Sequence, residues 1–165
     1  MEKKRRAKPV IVPASFSHRF VAALFDFCLS LLLMVVFLSP ALVLFLFWIK
    51  EPTVSMTAAL FVALFAGGAI WSLLELFYWI LLPFLKHGQT LGLAFMGLRI
   101  VDERGKEAPL RAYVLRAFIP LVLIILTLGL YYVVEMLSVL FSSKKTSFAD
   151  VSSMSYVVER GEARR

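Results

Sequence analysis

The chain has 165 residues, 61% hydrophobic and 18% charged, with 15 Phe, one Cys, a mean hydropathy of +0.85 and a formal net charge of +7. Soluble domains run at about 45–50% apolar and about 25% charged, so this chain lacks the polar surface a water-soluble globule needs; disorder and a disulfide scaffold are excluded by the same composition. Its apolar residues come in runs longer than a soluble core element can hide, which predicts an all-α integral membrane protein.

Residues 1–18 form a basic N-terminal segment with Lys3, Lys4, Arg5, Arg6 and Lys8. The apolar run behind it far exceeds a signal-peptide core of about 7–15 residues and carries no A-x-A-like site, so it is read as an uncleaved first span. Three apolar segments follow, at 20–49, 54–85 and 117–143, interrupted only by Asp26, Glu75 and Glu135 respectively. About 20 helical residues cross a bilayer core, so each is long enough to span, and the expected architecture is a helical bundle of three long segments. Their excess length predicts tilt or kinks, with breakers at Ser39-Pro40, Gly67-Gly68, Pro83, Pro120 and Gly129.

Lys and Arg set the expected orientation. Residues 1–19 hold six, the link 50–53 holds Lys50 alone, residues 86–116 hold six, and the tail from Lys144 holds five. The positive-inside rule puts the N-terminus and the 86–116 loop in the cytoplasm, most naturally of a bacterial inner membrane, with anionic headgroups as partners of the basic residues. Three full spans would put the tail outside, against its charge. One resolution is that the third segment turns back near Thr127-Leu128-Gly129 as a re-entrant helix pair. A cytoplasmic tail would also let the β-branched runs R-I-V-D (99–102) and Y-V-V-E (156–159) pair as a small strand pair. The alternative, unrelated loops with the tail outside, stays open in the sequence. A membrane domain is expected over residues 19–158 and a charged tail over 159–165.

The chemistry rests on the few ionisable residues inside the apolar segments, each about 2.5–3.5 kcal/mol unfavourable at a helix centre and so expected to face protein or a wet pocket. Arg19 and Asp26 lie two turns apart on one face, with Ser30 continuing the stripe and Ala22 and Ala23 leaving room for a neighbouring helix. Asp26 either pairs with Arg19 or a neighbouring helix, or serves as a cation or proton site. Glu75, 11 residues before Lys86, is expected near mid-bilayer, and Glu135 is a third candidate. Phe45, Phe47 and Trp48 at one edge and Phe77, Tyr78 and Trp79 at the other are read as headgroup anchors.

The 86–116 loop opens with H-G-Q-T-L-G and continues through an apolar stretch, 91–98, expected to lie along the membrane as a short helix. No glycine-rich phosphate loop, metal-ligand spacing or nucleophile–base constellation occurs, so no cofactor, metal site or enzyme activity is expected, and no aromatic-basic module suggests nucleic acid. His18 and His87 sit beside basic residues and read as solvated. Cys28, within an apolar run, reads as a packing residue.

With these residues assembled, the chain resembles the RDD family of small membrane proteins, named for one arginine and two aspartates. Arg19 and Asp26 in H-R-F-V-A-A-L-F-D-F match the opening arginine and first aspartate, and residues 87–105 match the central G-x-T-L-G and L-R-V-V-D motif. Arg116 in V-L-R-A-F matches a further arginine, and F-A-D-V-S-S-M-S-Y-V-V resembles the closing motif, with Asp150 as second aspartate. The sequence departs at Leu93, usually lysine, at Ala149, usually histidine, and at Met154-Ser155, usually Gly-Thr. The resemblance implies one of two roles. The first is transport of cations, protons or small solutes, here through Asp26, Glu75 and Glu135 in an oligomer. The second is a non-transporting accessory or scaffold that binds a partner complex, with Arg19, Arg116 and Asp150 as a structural charge cluster.

Overall fold

A computed structural model of the chain describes residues 12–142 and 146–159. The long helix α1 (Phe16–Trp48) starts at Ser15, whose hydroxyl accepts from the His18 N–H, and runs through Pro40 without ending. Helix α2 (Val54–Leu76) starts at Thr53, capped likewise by the Met56 N–H. It then widens into a π-helical turn, Phe77–Leu81, and closes with α3 (Leu82–Leu85). Pro83 lies just beyond the widened turn and has no N–H to give the helix, a common origin of such bulges.

The two helices pack antiparallel in one register, marked by Asp26 with Tyr78, Ser30 with Glu75, Phe37 with Gly67, and Trp48 with Thr57. A Cβ on Gly67 would overlap the Phe37 carbonyl oxygen, so a side chain there would force the backbones apart. These two stretches, residues 16–48 and 54–85, are long and apolar enough to cross a membrane.

The third apolar segment is not one helix. It divides into α5 (Leu110–Leu126) and α6 (Tyr131–Phe141) at Thr127–Leu130, the place where the sequence predicts a break. Leu128 and Gly129 both take positive φ there, ending α5 in a left-handed turn.

At the end of the α1–α2 pair opposite the 49–53 link lies a small platform. The predicted strand pair forms: β1 (Leu98–Asp102) runs antiparallel to β2 (Ser155–Glu159), with Ile100 opposite Val157. The Ala14 N–H donates to the Val157 carbonyl at 2.9 Å, and Ile100 donates to Gly88 at 2.8 Å, so both outer edges of the pair are covered. Leu98, Ile100 and Val157 pack with Ala22, Ala112 and Tyr113 into the one core cluster among the described residues. The N-terminal lead-in, the central loop and the tail therefore meet at one end of the helix pair. A tail at the far end, the alternative open in the sequence, is not what forms.

Two short helices complete the platform, α4 (Leu91–Phe95) and α7 (Phe148–Ser153). The expected surface helix over 91–98 is shorter than its apolar stretch, because the chain turns at Met96-Gly97 and Leu98 joins the strand with its side chain fully buried.

Helix α7 ends on Met154, which holds a left-handed φ of 51° where the family's usual residue is glycine. Such a conformation costs a Cβ-bearing residue about 1–2 kcal/mol, partly offset by the extra chain entropy glycine loses on folding. Met154→Gly is expected to stabilise the fold by about 0.5–1 kcal/mol, read as a raised Tm in detergent. An unchanged or lower Tm would count against strain at this cap.

Candidate functional site

Asp26 lies on the first half of α1, 3% exposed, and faces the start of α4. Its Oδ1 accepts from the Tyr78 hydroxyl and from the Gly92 N–H at 2.7 Å, and its Oδ2 accepts from the Thr90 hydroxyl at 2.6 Å. Thr90 in turn caps α4, its Oγ1 accepting from the Leu93 N–H. The carboxylate is thus the receptor for the T-L-G segment of the central motif. Gly92 is required by close approach: a Cβ there would overlap the Ala22 carbonyl oxygen and sit 2.6 Å from Asp26 Oδ1.

Of the two pairings the sequence offers for Arg19, the one with Asp26 does not form and the cluster with Asp150 and Arg116 does. Arg19, two turns nearer the platform, donates to Asp150 Oδ2. Arg116 of α5 donates from Nη1 to Asp150 Oδ1 at 2.5 Å and to Ser155 Oγ at 3.1 Å. Asp150, fully buried, also closes a capping box on α7, accepting the Ser147 N–H while its own N–H reaches Ser147 Oγ. Burial pushes the Asp150 carboxyl up, but the Arg116 and Arg19 guanidiniums outweigh it and hold the carboxyl below its ordinary 3.8. One carboxylate therefore ties the tail to both α1 and α5.

The remaining two carboxylates are also engaged. Glu75 Oε1 accepts from Ser30 at 2.6 Å and its Oε2 from the Trp79 indole at 2.7 Å. Glu135 accepts from the Tyr131 hydroxyl at 2.8 Å and from the Ala149 N–H at 3.2 Å, so it caps α7 from α6. Tyr78, read from the sequence as a headgroup anchor, is buried and serves Asp26.

Sequence reasoning singled out all six ionisable residues but missed Tyr78, Thr90 and Gly92 as partners of Asp26, and Ser147 and Ser155 as partners in the Asp150 cluster. The one signal available for Tyr78 was its place three residues after Glu75, on the same helix face. The departures from the family pattern are absorbed locally. Leu93 is buried in the platform core, Ala149 contributes its backbone N–H to Glu135 and its carbonyl to Ser153, and Ser155 still supplies a hydroxyl to Arg116. His18 meets Glu159 at 3.4 Å and His87 meets Glu107 at 2.9 Å, all four side chains at the surface. No group of three or more His, Cys, Asp or Glu able to hold a metal occurs among the described residues.

The arginine and both aspartates that the sequence picks out thus each join α1 or the tail to another element. Among proteins of known kind, no curated sequence and no solved structure gives a match. The sequence pattern of the RDD family matches residues 13–153, most of the chain, and includes every residue of the two clusters up to Asp150. The chain belongs to the RDD family.

Proposed function

We propose that this protein is a non-enzymatic, non-transporting membrane accessory, whose polar residues lock a cytoplasmic platform onto two membrane spans and present it to a partner protein. The observation that carries this reading is the placement of charge. All six candidate residues lie at the platform end, each bonded to another element or to the helix beside it. Residues 31–47 and the facing 58–74 hold no Asp, Glu, Lys, Arg or His. That leaves about 25 Å of paired helix without an ionisable waypoint.

Membrane placement follows from the aromatic residues. The helix register sets Trp79 beside the Asp26 level of α1, and from there to Trp48 is about 33 Å at 1.5 Å per residue, close to a hydrocarbon core of about 30 Å. Glu75, expected from its spacing near mid-bilayer, then sits about one turn inside the platform-side boundary, where water and headgroups reach it. The basic N-terminus and 86–116 loop favour the cytoplasm for the platform, in a bacterial inner membrane.

Proteoliposomes carrying a pH-sensitive dye test the choice between the two roles. Wild type is expected to pass protons and sodium no faster than protein-free vesicles, with Asp26→Asn and Glu75→Gln giving the same trace. Flux in wild type that both substitutions abolish, while the variants still insert, would replace this reading with transport.

A further inference from the structure

We infer that the α5–α6 hairpin is a re-entrant element that dips into the leaflet bordering the platform and returns, its tip surrounded by phospholipid acyl chains. The inference rests on α1 and α2 being membrane spans.

Three observations carry it. First, the lengths are wrong for crossing. Arg116 is fixed to the platform, and only ten residues of α5 lie beyond it, about 15 Å; α6 has 11 residues, about 16 Å. Each is about half of a bilayer core. Beyond α6 the chain comes back to the same platform, where α7 packs on α5 and β2 pairs with β1.

Second, the tip is apolar on every side. Ile125 is 65% exposed, Leu126 73%, Leu128 95% and Leu130 68%. Four large aliphatic side chains at one turn is the reverse of a water-facing loop, where polar and turn-forming residues prevail.

Third, the turn supplies its own donors and acceptors. The N–H groups of Thr127, Leu128, Gly129 and Leu130 donate to the carbonyls of Leu123, Ile125, Ile124 and Thr127. The Thr127 hydroxyl donates to Leu123 at 2.6 Å and accepts from the Tyr131 N–H at 3.0 Å, linking the end of α5 to the start of α6. Left-handed helix ends often close in this way in water too, so the closure permits burial in hydrocarbon; a turn there requires it, since each unpaired donor is strongly unfavourable. Acyl chains rather than a protein groove are the occupant because the exposed residues surround the turn instead of forming one face.

Spin labels read this directly. In a Cys28→Ser background, Leu128→Cys and Ile125→Cys would be labelled in the full chain, reconstituted in vesicles of phosphatidylethanolamine and phosphatidylglycerol. Leu32→Cys on α1 and Lys106→Cys on the platform serve as references. At Leu128 and Ile125 the broadening by a water-soluble nickel chelate is expected to be lost relative to Lys106, and collisions with dissolved oxygen to rise to the level at Leu32. The second position guards against a local effect at the turn. Nickel broadening at both tip sites equal to that at Lys106, with Leu32 protected, would overturn the hairpin's insertion. So would spin–spin broadening between two copies, which would mean that protein covers the tip, or modification from the face opposite Lys106 by an impermeant maleimide, which would mean that the chain crosses. Water access at Leu32 as well would instead remove the membrane reading on which the inference rests.

Discussion

Asp150→Ala is expected to destabilise the protein by about 3–5 kcal/mol and to release the tail to protease, because it leaves the Arg19 and Arg116 guanidiniums facing each other around a small buried void. The same change removes half of the α7 capping box, worth about 1 kcal/mol in its own right. Thermal unfolding in detergent, with limited proteolysis of the tail, measures both. A loss below about 1 kcal/mol would mean that the cluster is not what holds the tail. The three-way geometry also decides which rescue can work. Exchanging the charges at positions 19 and 150 would set a new guanidinium against Arg116, so charge swapping should fail. The coupling should appear instead as non-additivity: Arg19→Ala combined with Asp150→Ala is expected to lose less than the two single losses together.

The pH dependence of this cluster has a definite sign. The folded carboxyl titrates below its unfolded value of about 3.8, so its contribution is fully present above that value and is lost as pH falls through the lower folded one. Tail docking should therefore be flat between pH 8 and pH 5. Weakening that begins near neutrality would point to another group.

The second large effect is expected at the other clamp. Asp26→Leu strands the Thr90 hydroxyl, the Gly92 N–H and the Tyr78 hydroxyl in a buried site, at about 1–3 kcal/mol for each donor left unpaired. Asp26→Asn should be much milder, since an amide oxygen in place of Oδ1 can still accept from the Gly92 N–H and the Tyr78 hydroxyl, and the Thr90 hydroxyl can rotate to accept from the NH₂ in place of Oδ2. Gly92→Ala attacks the same joint sterically, because its Cβ would displace α4 from the Ala22 carbonyl and Asp26. Overpacking of that kind typically amounts to about 1–3 kcal/mol. The signature that separates this clamp from an ion site is the ordering, with Gly92→Ala worse than Asp26→Asn although it alters no charge. Equal stability for both, together with lost activity only in Asp26→Asn, would favour a role for the carboxylate beyond holding α4.

Both clamps bear on one helix. Arg19 and Asp26 stand two turns apart on α1, and through them the tail and the central loop are fastened to the same stretch of span. The three carboxylates of the apolar segments, Asp26, Glu75 and Glu135, are thereby accounted for as bonds between elements, which is why the accessory reading needs no further function for them.

Sequence alone determined what periodicity and composition can carry. The apolar runs gave the two long helices, the β-branched runs gave the strand pair, and Thr127-Leu128-Gly129 marked the break that separates α5 from α6. Each of these follows from local rules: span length, alternation, and the left-handed turn that ends a helix. The ionisable residues were legible too, since a lone Asp, Glu or Arg in an apolar run stands out against its neighbours.

What the sequence left undecided was which of the open pairings forms and most of the uncharged partners. The sequence offered Arg19 either Asp26, along the same face, or Asp150, 131 positions away with Arg116, and the choice waited on where the tail folds back. Likewise Tyr78 looked like a headgroup anchor until the helix register turned it toward Asp26, and Gly92 looked like one residue of a surface helix until α4 came to rest on Ala22. These contacts join residues distant along the chain, and only packing brings them together. Local preference selects the elements; the buried polar groups, each of which must find a donor or acceptor, select how those elements meet.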